Sequence, residues 1–319
     1  MMRFALLPAL CLVSTSAWAQ APAETPSETV VVRDVADEPL LEQPGDEFRE
    51  AVRETPDLQP EFQWDPGWRR AGGWDYALIG VSLGTLVTAE IIGPLNEDSP
   101  WQSTSAVDDF FRDRIGQTEE SRRGRIRDAS DLLLSIGVSL PFIFDSIMSA
   151  LWYHESPEVG RELALISMEV QFVTGAVTSM AKMLGSRERP YVRRCGTGEL
   201  AANDGDCTGS SQYRSFFSGH ASQTFAAAAT SCVFHARYPL YGGGAGDVLA
   251  CAGALGVATA TGLLRVTGDM HHMTDVITGA LVGAGIGTFI PMMRMRLGRR
   301  VPVALIPNGL GLGVYGELR

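Results

Sequence analysis

Three short blocks of this sequence contain the residue types that phosphate-ester cleavage requires. In chain order they are Lys182 with Arg189-Pro190, then Ser218-Gly219-His220, then Arg265 with His271 and Asp275. Together they supply three cations, two histidines and one carboxylate. Three positive charges in one pocket favour a polyanion, and an imidazole supported by a carboxylate can attack phosphorus. This inventory is sufficient for phosphoryl transfer without a metal ion.

The third block has the most specific spacing. His271 and Asp275 are four residues apart, so on a helix they would share one face, and the carboxylate would hold the imidazole in one tautomer. Arg265 offers a planar fork of donors that fits two phosphate oxygens. Ser218 and Gly219 precede an alanine-rich run, where the N–H groups of a helix N-terminus would attract an anion. We therefore expect the blocks to form one phosphate site.

Each block alone also has a simpler structural explanation. A lysine and an arginine seven residues apart usually belong to a solvated face, and Ser218 can be an ordinary helix cap. A buried histidine paired with an aspartate can be purely structural. The occurrence of all three blocks, each at the end of an apolar helical segment, favours the functional interpretation.

The pattern K-x6-R-P, S-G-H and R-x5-H-x3-D resembles that of the type 2 phosphatidic acid phosphatase (PAP2) and vanadium haloperoxidase superfamily. The resemblance covers residues 74–293 and includes the run 275–280, which is similar to the closing helix of the family. Two positions depart from the family pattern: Phe217 replaces the usual proline, and Leu264 replaces the usual serine before the arginine of the third block. Neither change removes a catalytic side chain, although loss of the serine can remove one hydrogen bond to phosphate.

The resemblance implies a role for each residue of the three blocks. His271 would be the nucleophile that forms a phosphohistidine, with Asp275 orienting it. His220 would protonate the leaving alkoxide and later activate the water that releases phosphate. The remaining groups would stabilise charge on the equatorial phosphate oxygens, namely those of Lys182, Arg189, Ser218, Gly219 and Arg265. No cofactor is implied, except vanadate if the chain is a haloperoxidase.

The first residues have the pattern of an export signal. A basic start at Arg3, an apolar core and a small-x-small site ending at Ala19 predict a secretory signal peptide over residues 1–19. Residues 20–63 contain twelve acidic residues against three arginines, which predicts a disordered acidic segment. We therefore predict export to the cell envelope, in the periplasm.

Two cysteines fall in the polar loop between the first two blocks. In an oxidising compartment, Cys195 and Cys207 can form a disulfide that closes this loop over the site, and the alternative is two free thiols. Cys232 and Cys251 lie in apolar runs, and we interpret them as buried small hydrophobic residues.

Six apolar stretches separated by polar loops predict an all-α fold, a six-helix PAP2-type bundle over residues 64–300. The stretches are 74–95, 132–152, 163–184, 220–236, 248–264 and 276–293. The charged segment 96–131 predicts amphipathic surface helices. Apolar runs on either side of Asn308-Gly309 predict a short β-hairpin in the tail, residues 301–319.

The apolar stretches leave two arrangements open. Each has about the length of a membrane span, but Glu90, Asp145 and Glu169 interrupt them, and the mean hydropathy is only +0.05. After a cleaved signal, three crossings would leave the Arg189 loop in the cytoplasm, where a disulfide is not expected. A periplasmic bundle that spans no membrane removes this conflict and is the preferred prediction. The alternative is an inner-membrane protein whose first stretch does not span, with its active site facing the periplasm.

These features predict a metal-independent phosphatase that hydrolyses phosphate monoesters or diphosphates, either lipid phosphates or small soluble esters. The alternatives are a vanadate-dependent haloperoxidase and an inactive phosphate-binding envelope protein. The net charge of −11 belongs mostly to the acidic segment, and no basic stripe with interleaved aromatic residues predicts nucleic-acid binding. The expected partner is a phosphate-ester substrate, and membrane association remains open.

Overall fold

The computed structural model describes residues 62–98, 100–203, 205–296, 304–308 and 311–315. The predicted signal peptide and almost all of the acidic segment lie outside the described residues. Within the described part, seven α-helices form the body of the protein. They are α1 (Gly73–Ile92), α2 (Ala106–Ile115), α3 (Glu120–Ser139), α4 (Pro157–Gly185), α5 (Gly219–Arg237), α6 (Ala245–Thr267) and α7 (Met273–Arg296).

The helical class is confirmed, but the predicted count of six helices is wrong for the described residues. Each apolar stretch corresponds to a helical segment, although the first extends to residue 95 and α1 ends at Ile92. The additional helix, α2, comes from the charged segment. It begins at a capping box, in which the Ser105 side chain accepts from the Asp108 N–H and the Asp108 carboxylate accepts from the Ser105 N–H. Helix α2 packs Phe111 and Ile115 against the core, but it has only ten residues and five of them are acidic or basic, so a search for long apolar stretches does not count it.

Residues Leu140–Tyr153 continue α3 as a π-helix. Pro141 stands at the start of this wider helix and lacks the N–H that a regular turn would use. At its end the His154 N–H donates to the Ser149 carbonyl at 2.9 Å, five residues back. The combined helix, Glu120–Tyr153, is 34 residues long.

Helix α1, with 20 residues, packs beside the longer helix α4, which has 29. At one end, Asp75 pairs with Arg294 at 3.5 Å. At the other end, Glu90 accepts from Ser179 Oγ at 2.8 Å and pairs with Arg214 at 2.5 Å. Helix α1 is itself one of the segments long and apolar enough to cross a membrane, so its composition does not single it out as the stretch that stays outside. The inner-membrane alternative as a whole is consistent with the structure.

Helix α5 lies at the centre and packs against α7 backbone to backbone. An added Cβ at Gly283 or Gly287 of α7 would lie 2.1 Å from the carbonyl oxygen of Ser222 or Ala226, respectively. Only glycine fits at such a distance, so small residues one turn apart allow the two helices to approach closely. This contact fixes the start of α7 relative to the start of α5.

Large apolar side chains cover much of the outer surface. Val81, Leu132, Leu249 and Leu281 are each more than 60% exposed, on four different helices. Five helical segments are long and apolar enough to cross a membrane. They are Gly73–Ile92, Glu120–Tyr153, Pro157–Gly185, Ala245–Thr267 and Met273–Met295. Since apolar surfaces of this extent mark contact with a partner or a bilayer, they fit membrane association better than the preferred prediction of a non-spanning bundle.

The tail contains two short strands, β1 (Ala304–Asn308) and β2 (Gly311–Tyr315). They pair antiparallel, with Ala304 opposite Tyr315 and Asn308 opposite Gly311. The two residues between the strands lie outside the described part, so the predicted hairpin turn stays a prediction.

Two disulfides cross-link the bundle. One joins Cys195 to Cys207 in the loop between α4 and α5, and the other joins Cys232 of α5 to Cys251 of α6. The interpretation of Cys232 and Cys251 as simple apolar residues is therefore wrong. Packing of α5 against α6 brings their Cα atoms to 4.6 Å, a separation that the sequence does not reveal.

Candidate active site

The three sequence blocks meet at one end of the bundle. Lys182 lies in the last turn of α4, and Arg265 lies in the last turn of α6. Ser218 is the N-cap of α5, and its Oγ accepts from the Ala221 N–H at 3.4 Å. Helices α4 and α6 end where α5 and α7 begin, so the alternating helix directions bring these residues together.

Gly219, the first residue of α5, lets Lys182 reach the start of that helix. A Cβ at this position would lie only 2.9 Å from Lys182 Nζ. The ammonium group therefore lies against a helix N-terminus, whose N–H groups also favour an anion. Both features suit the phosphate-binding role that the resemblance implies.

Two arginines of the site have unused hydrogen-bond donors. The Nε atoms of Arg189 and Arg265 are buried and have no partner among the described residues. Arg265 Nη1 donates to Ser130 Oγ at 3.0 Å and to Asp131 Oδ1 at 3.2 Å. Burial lowers the pKa of Arg189. We call Lys182, Arg189 and Arg265 the phosphate clamp, because a bound oxyanion would satisfy the unused donors and offset the repulsion among the cations.

His271 lies in the turn before α7 and not on the helix. Helix α7 begins at Met273, and the chain turns at Asp269, which has a positive φ of 58°. The expectation that His271 and Asp275 share one helix face is therefore wrong. The four-residue spacing instead places one residue before the helix start and the other in its first turn.

The imidazole of His271 is fixed by the backbone. Its Nδ1 lies 2.8 Å from the Ser215 carbonyl oxygen, which can only accept, so Nδ1 carries the proton. The lone pair is therefore on Nε2, the nitrogen available for attack. Burial, together with the charges of Arg189 and Arg265, holds the pKa of His271 well below its usual value. The ring is consequently neutral and nucleophilic near neutral pH.

Asp275 supports His271 through other residues. Its Oδ2 lies 3.9 Å from His271 Nδ1, which is too long for a hydrogen bond. The carboxylate accepts from Arg187 Nη1, from Ser215 Oγ at 2.5 Å and from the His272 N–H at 3.0 Å. Because Ser215 also supplies the carbonyl that holds His271, Asp275 is placed to orient this imidazole indirectly.

Arg187, to which no sequence pattern pointed, connects Asp275 to α2. The Arg187 guanidinium is 2% exposed and donates to Asp108 at 2.9 Å as well as to Asp275. Asp108 accepts in turn from the Thr274 N–H at 2.8 Å. The capping-box pattern at Ser105 and Asp108 could have pointed to Asp108. No sequence pattern distinguishes Arg187, because it is one of several arginines around the first block.

His220 points to α3, which the sequence analysis did not connect with the site. Its Nε2 lies 2.6 Å from Asp131 Oδ1, the same oxygen that accepts from Arg265. Burial and the charge of Arg265 lower the pKa of His220 to about 4, although Asp131 opposes the shift. Asp131 lies in the charged segment, where one carboxylate among many gave no functional signal.

The geometry of the clamp predicts a large effect of the conservative change Arg265→Lys. We expect kcat/KM for a phosphate ester to fall by about 10- to 100-fold, nearly as far as in Arg265→Ala. The reason is that one ammonium group cannot reproduce both the Ser130 and Asp131 contacts and the unused Nε donor. Steady-state kinetics of both variants check this, with Arg122→Lys, an exposed position on α3, as control. Recovery of most of the activity in Arg265→Lys would show that only the charge matters.

The family model of the PAP2 superfamily matches residues 163–299, which contain all three blocks. No curated protein and no solved structure matches the chain. Through residues 163–299, this chain belongs to the PAP2 superfamily.

Proposed function

We propose that this chain is a metal-independent phosphatase that works through a phosphohistidine on His271. Membership of the PAP2 superfamily indicates phosphatase-type activity. The observation that carries the mechanism is the fixed tautomer of His271, whose Nδ1 donates to the Ser215 carbonyl and leaves Nε2 unprotonated. A buried neutral imidazole near cations with unused donors is suited to attack on phosphorus.

The reaction has two steps in this proposal. In the first, His271 Nε2 forms a bond to phosphorus while the bond from phosphorus to the ester oxygen breaks, and His220 gives a proton to that oxygen. In the second, His220 takes a proton from water, and the resulting hydroxide displaces phosphate from the imidazole. The phosphate clamp and the start of α5 hold the equatorial oxygens throughout.

An apolar groove begins one helical turn below His220 and Asp131, and it supports a lipid phosphate as the substrate. The groove has a volume of about 490 Å³ and lies between α3 with its π-helical continuation, α4 and α5. Its apolar wall consists of Leu134, Val138, Phe142, Ile143, Met168 and Phe172. An ester whose phosphate lies in the clamp can therefore place an alkyl chain in this groove.

A substrate panel tests the proposal on the purified protein in detergent. We expect dodecyl phosphate to be hydrolysed with a higher kcat/KM than glycerol phosphate, because only the former fills the groove. Activity should persist in EDTA, and acid-labile phosphoenzyme should accumulate at short reaction times. Dependence on an added divalent metal, or the absence of phosphoenzyme under single-turnover conditions, would contradict the mechanism.

We further propose that the bundle is embedded in a membrane, with the active-site end on the exported side. The exposed apolar side chains and the five candidate spans support embedding. The Cys195–Cys207 disulfide beside the site supports an oxidising compartment at that end. Helix α5, although not itself a candidate span, is surrounded by the other helices and needs no lipid-facing surface.

This placement predicts fractionation with membranes. The protein should resist carbonate extraction and require detergent, because lipid-facing side chains such as Leu249 and Leu281 would otherwise contact water. After mild reduction, an impermeant thiol reagent should label Cys195 or Cys207 in intact spheroplasts. Release by osmotic shock would instead support the non-spanning bundle, and protection of both cysteines would place the site in the cytoplasm.

Whether the predicted signal peptide is cleaved is an independent test of the topology. Helices α1 and α3 to α7 make six passes along the bundle, and α1 ends on the side of the active site. If that side is the exported one, residue 62, which precedes α1, must lie on the inner side. A signal cleaved after Ala19 would place that residue outside. The intact mass of the purified protein should therefore include the first residues, and a mature start at Gln20 would contradict the proposed topology.

A further inference from the structure

A second cluster of charged side chains lies at the end of the bundle opposite the phosphate clamp. His235 is in the last turn of α5, and Asp247 is in the first turn of α6. The His235 ring lies between two carboxylates: its Nδ1 contacts Asp247 Oδ1, and its Nε2 lies 3.3 Å from Asp145 Oδ1. A carboxylate oxygen can only accept, so a ring with one at each nitrogen carries both protons. The cluster therefore holds two negative charges and one positive charge.

The negative charge in excess lies on Asp247. Each oxygen of Asp145 has a hydroxyl donor, Tyr241 Oη at 2.8 Å and Ser231 Oγ at 2.6 Å. Asp247 Oδ1 also accepts from the Tyr241 N–H at 3.0 Å, whereas Asp247 Oδ2 is buried and has no partner among the described residues. The residue as a whole is 6% exposed. Burial of a carboxylate oxygen without a donor is costly, so the arrangement indicates a cationic donor that binds there.

Asp247 and His235 line a cavity of about 590 Å³ that also contains a positive charge. Arg237 lies on the wall of this cavity. Its Cζ is 6.0 Å from the centre of the Trp68 ring, and within the described part of the chain its guanidinium makes no hydrogen bond or ion pair. The cavity therefore offers an anionic acceptor and a cationic donor to one ligand.

An apolar groove of about 500 Å³ adjoins this cavity between α6 and α7. Arg237 and the disulfide between Cys232 and Cys251 border both spaces. Leu255 is one helical turn beyond Cys251 toward the active-site end, so the groove leads from the cavity toward the middle of the bundle. Its other wall includes Thr288 and Met292 of α7.

We propose that the cavity and the groove together bind a phospholipid whose head group ends in a primary ammonium group. The ammonium donates to Asp247 Oδ2, Arg237 binds the lipid phosphate, and one acyl chain lies in the groove. One free carboxylate oxygen is too few to hold a metal ion, but it suffices for one N–H donor. The site does not involve the proposed reaction. It depends on the proposed embedding only for its place in the inner leaflet, since the active-site end is proposed to face the exported side.

Binding of three phospholipids with the same acyl chains tests this site in the purified full-length protein. Their head groups are phosphoethanolamine, phosphocholine and phosphoglycerol, and native mass spectrometry from detergent gives the Kd of each. We expect the phosphoethanolamine lipid to bind about tenfold or more tightly than the other two, because phosphocholine has no N–H to donate and phosphoglycerol has no cation. Equal Kd values for the three lipids would overturn the proposal.

Two variants separate the contacts of the head group. Asp247→Asn removes the carboxylate, so the Kd values for the phosphoethanolamine and phosphocholine lipids should become similar. Arg237→Gln removes the phosphate contact that all three lipids share, so each Kd should rise by about tenfold. Arg237 is exposed, so this variant tests the site even if Asp247→Asn does not fold, and Arg122→Gln at the other end of the bundle should change no Kd. Unchanged Kd values in Arg237→Gln, or a retained preference in folded Asp247→Asn, would contradict the assignment.

Further measurements distinguish this site from the phosphate clamp, where a lipid phosphate can also bind. Inorganic phosphate in excess should not displace the lipid, and Arg265→Ala should retain the preference for the phosphoethanolamine head group. Displacement by phosphate, together with loss of the preference in Arg265→Ala, would place the lipid in the clamp and overturn the proposal. If the protein cleaves no phosphate ester but Asp247→Asn removes the preference, the proposed function is wrong and the lipid site remains.

Discussion

The His271→Ala variant should lose turnover by a factor of about 10⁴ or more and should form no phosphoenzyme. The Ser215 carbonyl keeps the proton of His271 on Nδ1 and leaves Nε2 unprotonated, so this nitrogen is the one proposed to attack phosphorus. Removal of this ring therefore removes the attacking group and leaves only the binding of phosphate. Rapid-quench detection of acid-labile phosphoenzyme, together with steady-state phosphate release, measures both effects.

A matched histidine serves as the control for this experiment. His272→Ala changes the neighbouring residue, whose Nε2 lies 3.1 Å from the Glu188 carbonyl oxygen and contacts no clamp residue in the described structure. This variant should still form phosphoenzyme. Normal phosphoenzyme formation in His271→Ala would show that another group attacks phosphorus and would contradict the proposed mechanism.

The His220→Asn variant should show an effect that depends on the leaving group. We expect a loss of about 10²- to 10⁴-fold on alkyl phosphates, whose departing oxygen needs a proton, and a much smaller loss on aryl phosphates. Asparagine can still contact Asp131, so the variant retains the local packing while removing the titratable proton. The ratio of kcat/KM values for dodecyl phosphate and 4-nitrophenyl phosphate measures the difference. Equal losses on both substrates would exclude His220 as the general acid.

The pH profile provides a second measurement of the same role. His220 must be protonated to act as an acid, and its pKa in the free protein is lowered to about 4. Raising the pH above this value removes the proton, so kcat/KM of the wild type on an alkyl phosphate should decline through this range. This decline in kcat/KM should be absent from the His220→Asn variant. If the variant shows the same decline, another group is responsible for it.

The sequence alone determined the chemical inventory and the helical class. Residue identity fixes which side chains can carry charge or attack phosphorus, and apolar periodicity fixes where helices form, so both can be inferred without coordinates. The blocks at Lys182, Ser218 and Arg265 indeed lie together, since each stands at a helix terminus and the helices alternate in direction. Helix α2 was not counted because it is short and amphipathic, with no long apolar stretch.

Only the tertiary structure decided which partners the catalytic residues use. The spacing of His271 and Asp275 predicted a direct pair. In the turn before α7, however, His271 Nδ1 donates to the Ser215 carbonyl instead. Asp131 enters the site from a segment distant in sequence. Arg187 lies inside the first block, but its partners Asp108 and Asp275 are far from it in sequence, and no local pattern encodes such contacts. The same holds for the disulfide between α5 and α6. These features depend on how closely helices pack, and that distance is set by small residues on two chain segments together, which neither segment reveals alone.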